Sequence, residues 1–179
     1  MKRFLLYVSV ISLLLWSPRA WGSDTQSFTV TRVYDGDTVM AVSDGTVIYV
    51  MLMGIDAPEI SESSHVPDQP FAKEAKNYLS SLILHKDVKI VGYGKGPYPD
   101  NNILGVIFLN GENVNLEMVR KGLAEAFERN LPPNFDIRPY IEAEQKARQE
   151  KVGMWSLGKR YISPSRWRQM HKLDVAGSR

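Results

Sequence analysis

Two short acidic segments carry the residue types best suited to chemistry. Asp35-Gly36-Asp37-Thr38 lies between two β-branched runs, and Asp56-Ala57-Pro58-Glu59 follows directly on a third. Two carboxylates that converge with a backbone carbonyl and water make a hard, all-oxygen site suited to Ca2+ or Mg2+. The same residues are also ordinary turn formers, because Asp and Pro favour such backbone positions. Type and spacing leave both readings open. The metal reading requires Asp37 to meet Asp56, which follows if the first and third strands of a meander lie side by side in a small barrel.

The elements that must position these residues are written in the hydropathy pattern. Phe28 to Tyr34 alternates and is partly β-branched, so a strand is expected there. Thr38 to Val42 is a second strand, and Asp44-Gly45 turns the chain into a third over Thr46 to Met53. Residues 57 to 68 are rich in Pro, Ser and Asp and read as a loop. Asp68 then stands as a helix cap ahead of Pro70, with Phe71, Ala75, Tyr78, Leu79 and Leu82 at helical spacing. Val88 to Val91 and Ile103 to Leu109 are further strands; Val114 to Lys121 and Ile137 to Val152 are further helices. Five strands with three helices predict an α+β domain built around a small β-barrel.

Composition bounds the rest. The chain has 179 residues and no cysteine, so no disulfide can form and packing alone holds the fold. Lys2 and Arg3 precede an apolar run from Phe4 to Trp16, and Ala20-Trp21-Gly22 places small residues about a cleavage point. Residues 1–22 thus read as a secretory signal peptide, which makes the protein secreted or periplasmic and leaves no membrane span in the mature chain. This run of thirteen mostly apolar residues reaches only about 20 Å as a helix, short of a bilayer core of roughly 30 Å. Loss of Lys2, Arg3 and Arg19 takes the charge from 22 basic and 20 acidic residues to a mature net of −1. From Lys146 onward nine basic residues face two acidic ones, so the body is acidic and residues 157–179 read as a basic, flexible tail. Electrostatics therefore give a nucleic-acid partner only weak support. Tyr161 and Trp167 among the arginines of 160–172 resemble a stacking patch; a solvated terminus explains them equally well. His65, His85 and His171 are scattered and form no ligand set.

Longer motifs add a family likeness. Tyr34-Asp-Gly-Asp-Thr-Val39, Met53-Gly-Ile-Asp-Ala-Pro-Glu59, the run from Val114 to Ala124 and Lys151-Val-Gly-Met-Trp155 resemble, in order and spacing, motifs of the staphylococcal nuclease family. The resemblance spans 28 to 155 and implies a five-stranded OB-type barrel with three helices, within a domain placed at 23–156. It also implies that Asp37 and Asp56 are Ca2+ carboxylates, that Ala57 offers its backbone carbonyl to the metal, and that Glu59 is the general base activating water. The implied activity is Ca2+-dependent phosphodiester hydrolysis, in which two arginines neutralise charge on the phosphoryl oxygens.

Both arginines are missing. Met51 stands five residues before Asp56, where the family has the first, and Leu104 stands before Gly105, where it has the second. Asn102 replaces a nucleotide-contacting tyrosine. Loss of one preorganised donor costs roughly 3–4 kcal/mol of transition-state stabilisation, and loss of two about 6–8 if the effects add. Arg32, Lys95, Arg129 and Arg138 are the cations considered as substitutes, Lys95 foremost. The leading expectation is an inactive or strongly impaired nuclease serving as a binding domain, for a ligand, a metal or a protein partner. The alternatives are an active divalent-metal phosphodiesterase on DNA or RNA with a rearranged phosphate clamp, and a structural or surface protein-interaction module.

Overall fold

A computed structural model describes residues 27–61, 63–96 and 101–171. The signal peptide expected at 1–22 lies outside these residues. Long antiparallel strands follow each other first: β1 (Ser27–Val33), β2 (Thr38–Ser43) and β3 (Thr46–Leu52), then the two-residue β4 (Ile55–Asp56). Helix α1 (Ala72–Ile83) leads to β5 (Asp87–Lys95) and β6 (Asn102–Leu109). The short β7 (Glu112–Asn113) opens α2 (Val114–Arg120), and β8 (Glu125–Ala126) precedes α3 (Arg138–Glu150). A 3-10 segment, Gly153–Arg160, and a fourth helix, α4 (Pro164–His171), complete the described chain.

The sheet runs β3-β2-β1-β5-β6-β7, and β3 also pairs with β6 in parallel, so the five long strands close into a barrel. This is the α+β, OB-type architecture expected from the sequence. Closure removes the sheet edges and turns one face of every strand inward. Val30, Val39, Val50 and Ile107 are fully buried there, and α1 covers one end with Ala72, Ala75, Leu79 and Ile83. Asn115 is fully buried as well; its amide donates to Met53 O and Gly105 O, 3.0 Å each, and its oxygen accepts from Ile107 N at 3.1 Å. This one side chain therefore ties α2 to the strand end that leads into β4.

Three expectations change. The first and third strands are not neighbours, because β2 lies between them and β3 finds its second partner in β6. Asp68 does not cap α1: it accepts from Ser61 N at 2.9 Å and pairs with Lys73, while Phe71, at φ 73°, sits at the helix start without a side-chain cap. Residues 157–171, read as flexible tail, form the end of the 3-10 segment and the docked helix α4. Trp155 anchors this segment, 5% exposed, with the Arg148 guanidinium 3.7 Å above its ring and Tyr161 at 4.5 Å between centroids. Among the described residues no helix is long and apolar enough to cross a membrane.

Candidate functional site

The acidic residues meet although their strands do not pair. Asp35 folds its own loop, accepting from Asp37 N at 2.9 Å and Thr38 N at 2.7 Å, an arrangement that Asp adopts readily in turns. Leu52 N then reaches Asp37 O at 2.7 Å, joining the β1–β2 turn to the end of β3. From there β4 carries Asp56 inward, and Ala57 N donates to Asp37 Oδ2 at 2.8 Å. Thr38 Oγ1 donates to the other Asp37 oxygen at 3.0 Å. Gly36 allows this approach: a Cβ there would stand 2.7 Å from Ala57 Cβ and 2.8 Å from Ala75 Cβ.

Glu59 is held by Gln69. The Gln69 side chain, 4% exposed, accepts from Glu59 N at 3.0 Å and donates to Ile162 O at 2.8 Å, while its own N–H reaches Glu59 O at 2.9 Å. One amide thus connects the acidic loop to the segment before α4. Ser163 Oγ accepts from Arg166 N at 3.2 Å at the start of that helix. Pro164 occupies its first turn, where a missing N–H costs nothing.

Helix α4 delivers the residue that sequence reasoning missed. Arg168 Nη1 donates to Asp56 Oδ1 at 2.8 Å and to Glu59 Oε1, and Nη2 donates to Asp56 Oδ2 at 2.9 Å. The three side chains are 17%, 7% and 24% exposed for Arg168, Asp56 and Glu59, so this is a shielded, forked ion pair. Of the four cations considered from sequence, Arg32 lies over Tyr34, Arg129 donates to Ser165, Arg138 pairs with Asp136, and Lys95 is exposed at the end of β5. A signal for Arg168 was present in Ser163-Pro164, a cap followed by proline, which announces a helix in the basic run.

Burial dominates the electrostatics. It raises the carboxyl of Glu59, against the opposing pull of Arg168. It lifts Asp37 well above the usual carboxylate range, helped by the charges of Asp35 and Asp56. Burial disfavours charge on Arg168, but Asp56 and Glu59 outweigh it and hold the guanidinium protonated. Glu125, opposite Asp56 in the β4–β8 pair, is pushed by burial to about 7 while Tyr161 donates to it.

In this arrangement the carboxylates do not fit a divalent cation. Both Asp56 oxygens and one of Glu59 are bound by a guanidinium, both Asp37 oxygens accept hydrogen bonds, and Ala57 is seen joining the cluster through its N–H. Among the described residues no group of three or more His, Cys, Asp or Glu is placed to hold a metal. Met51 and Leu104, each half-buried, face each other across the parallel β3–β6 pair, so a hydrophobic couple occupies the two positions named for the missing arginines. Asn102, at 4% exposure, is interior.

A closed OB-type barrel with an acidic cluster at the ends of β1 and β3 defines a nuclease-like domain. Residues 49–157 match the model of the staphylococcal nuclease homologue family, and the chain belongs to that family. It is 34% identical over 149 residues to an uncharacterized endonuclease of Haemophilus influenzae, covering 82% of this chain and 75% of that protein. It is 33% identical over 132 residues to the thermonuclease of Staphylococcus intermedius, covering 73% of this chain and 76% of that one. A probable endonuclease of Komagataella phaffii is 36% identical over 131 residues, 70% of this chain but only 56% of that protein.

Proposed function

We propose that this protein is a divalent-cation-dependent phosphodiesterase of nuclease type, acting on DNA or RNA outside the cytoplasm at a rate far below that of an enzyme with a complete phosphate clamp. The observation that carries it is the clustering of Asp35, Asp37, Asp56 and Glu59, close enough for the charges of the other three to act on Asp37, with backbone N–H groups donating to Asp35 and Asp37. A barrel built only for stability has little use for four clustered carboxylates, whose mutual repulsion and desolvation work against folding. Glu59, with its pKa raised by burial, is suited to take a proton from an attacking water. Asp37 and Asp56 offer hard oxygens beside it only once Arg168 has left Asp56, and Ca2+ is the cation to test first. The low rate follows from Met51 and Leu104, which offer no donor to charge building on a phosphoryl group.

The test is digestion of single-stranded DNA and RNA by the purified protein with and without Ca2+, beside Glu59→Gln and the double variant Met51→Arg/Leu104→Arg. Slow cleavage that needs Ca2+, is lost in Glu59→Gln and rises in the double variant by about 10²-fold or more supports the reading. Absence of cleavage in every form overturns it. The hydrophobic Met51–Leu104 couple favours a second reading, a ligand-binding domain of the same fold without turnover, which then takes its place. Export rests on the Lys2-to-Gly22 pattern, and the N-terminal sequence of the protein recovered from periplasm or medium checks it.

A further inference from the structure

The outer face of the barrel carries a second group of side chains with chemistry of their own. Cross-strand register sets Arg32 of β1 opposite Met40 of β2, and Met40 opposite Tyr49 of β3. Tyr34, just past the end of β1, reaches this row: its hydroxyl meets Met40 Sδ at 3.8 Å, and its ring centroid stands 6.1 Å from that of Tyr49. The Arg32 guanidinium sits 4.6 Å from the Tyr34 centroid. We propose that Arg32, Tyr34 and Tyr49 form a seat for single-stranded nucleic acid, in which a base stacks on the exposed tyrosine and Arg32 holds a neighbouring phosphate. Its place in catalysis rests on the nuclease reading; the binding itself does not.

The face is open. Tyr49 is 38% exposed, and Val47, on the same side of β3, 37%. OB-type barrels present their second and third strands to oligonucleotides and oligosaccharides, and an aromatic ring there accepts any base, since every base has a π face. Arg32 selects a polyanion over a neutral oligosaccharide. Among the described residues no carboxylate pairs with it, and Asp35, its nearest acidic neighbour along the chain, is turned into its own loop by Asp37 N and Thr38 N. An arginine stacked on an aromatic ring keeps its N–H groups available to a phosphate. The row also lies beside the acidic cluster. Met51 follows Tyr49 on the same side of β3, about 7 Å along the strand, and pairs with Thr38, next to Asp37. Arg168 offsets the charges of Asp56 and Glu59, so the cluster repels a polyanion less than four free carboxylates would. The seat thus supplies the grip on substrate that Met51 and Leu104 do not.

Binding is read in EDTA, without metal or turnover, from the fluorescence anisotropy of a labelled oligothymidylate added to the purified protein at low salt. The wild type is expected to bind it more tightly than a DNA duplex, whose bases are already stacked. Tyr49→Leu is expected to weaken binding by about 5- to 150-fold, the worth of one base stacked on an aromatic ring, while Tyr49→Phe stays within about 2-fold. Arg32→Gln is expected to reduce the slope of log affinity against log salt by about 0.7, the share of one phosphate. Val91→Ser, at a position 40% exposed on β5, is expected to bind as the wild type does. Arg32 is exposed, so Arg32→Gln carries the test by itself if Tyr49→Leu folds poorly. No binding by the wild type, equal binding by Tyr49→Leu, an unchanged salt slope in Arg32→Gln, or an equal loss in Val91→Ser overturns the inference. Digestion of single-stranded DNA in Ca2+ separates the two proposals. If the strand binds through Tyr49 and nothing is cut, the seat stands and the nuclease reading falls. If Tyr49→Leu cuts with the KM and kcat of the wild type, the nuclease stands and the seat falls. A raised KM with kcat kept supports both.

Discussion

Replacing Asn115 with leucine asks how much of the acidic pocket depends on one interior amide. Asn115 is wholly buried and serves three backbone groups: Ile107 N–H, Met53 C=O and Gly105 C=O. Gly105 O keeps a second donor, Met53 N at 2.8 Å, so the leucine variant strands chiefly the Ile107 N–H and the Met53 carbonyl. A buried backbone group left unpaired costs about 1–3 kcal/mol. Two of them cost about 2–6 kcal/mol, and the apolar volume of leucine returns roughly 1 kcal/mol of that. A net loss near 3 kcal/mol lowers Tm by about 10 °C for a domain of this size. Urea titration followed by circular dichroism measures it directly, with an unchanged slope showing that the native and unfolded states are otherwise the same. Asn115→Asp should be worse, since it sets a charge and two acceptors against two carbonyls. The Met53 carbonyl lies three residues from Asp56, so the Asp56–Arg168 contact should loosen as stability falls. If Asn115→Leu unfolds within about 0.5 kcal/mol of wild type, the strand end is held by something other than this amide.

Gly36→Ala forces a methyl against Ala57 and Ala75 at 2.7 and 2.8 Å and should cost about 1–3 kcal/mol in urea titration. Gly45→Ala, with nothing within 4 Å but φ at 77°, should cost only about 1 kcal/mol of backbone strain; equal losses would show that packing at Gly36 is not tight. Glu125 has its folded pKa raised from 4.5 to about 7, so the stability its neutral form allows is complete below about 4.5 and is lost as pH rises through 7. Glu125→Gln should therefore match wild type at pH 4 and exceed it by about 1–2 kcal/mol at pH 8, after discounting for partial exposure. A gain of the same size at both pH values would place the effect outside titration.

The strands and the first three helices were legible because their signals are local. Alternation turns Val50 and Leu52 of 46–53 inward, whereas in β1 a bulge between Val30 and Arg32 breaks it and buries Val30 and Val33; Asn113, whose side chain accepts from Leu116 N at 2.9 Å, starts α2 where the pattern put it. The acidic residues were legible as a cluster, but the route of their convergence was not. It runs through the Leu52–Asp37 and Ala57–Asp37 hydrogen bonds, which no spacing rule supplies. Arg168 was illegible as a site residue for a related reason. Its partners stand 112 and 109 positions away in the chain, and eight residues with one buried side chain, Pro164, leave no apolar stripe to announce where α4 docks.

The parallel pairing of β3 with β6 also joins segments that lie far apart along the chain. The β1–β2–β3 meander and the β5–β6 hairpin each join neighbours along the chain, whereas Tyr49 meets Asn102 across about 50 residues. Closing that distance is a non-local step, as is the pairing of Ser27 with Lys89 between β1 and β5, and it is the step that seats Met51 beside Leu104. Side chains at these two positions therefore act on a pairing that closes the barrel. A pair of arginines placed in the seam would set two like charges side by side at that closure, where their repulsion works against it. The hydrophobic couple closes the same seam without that repulsion.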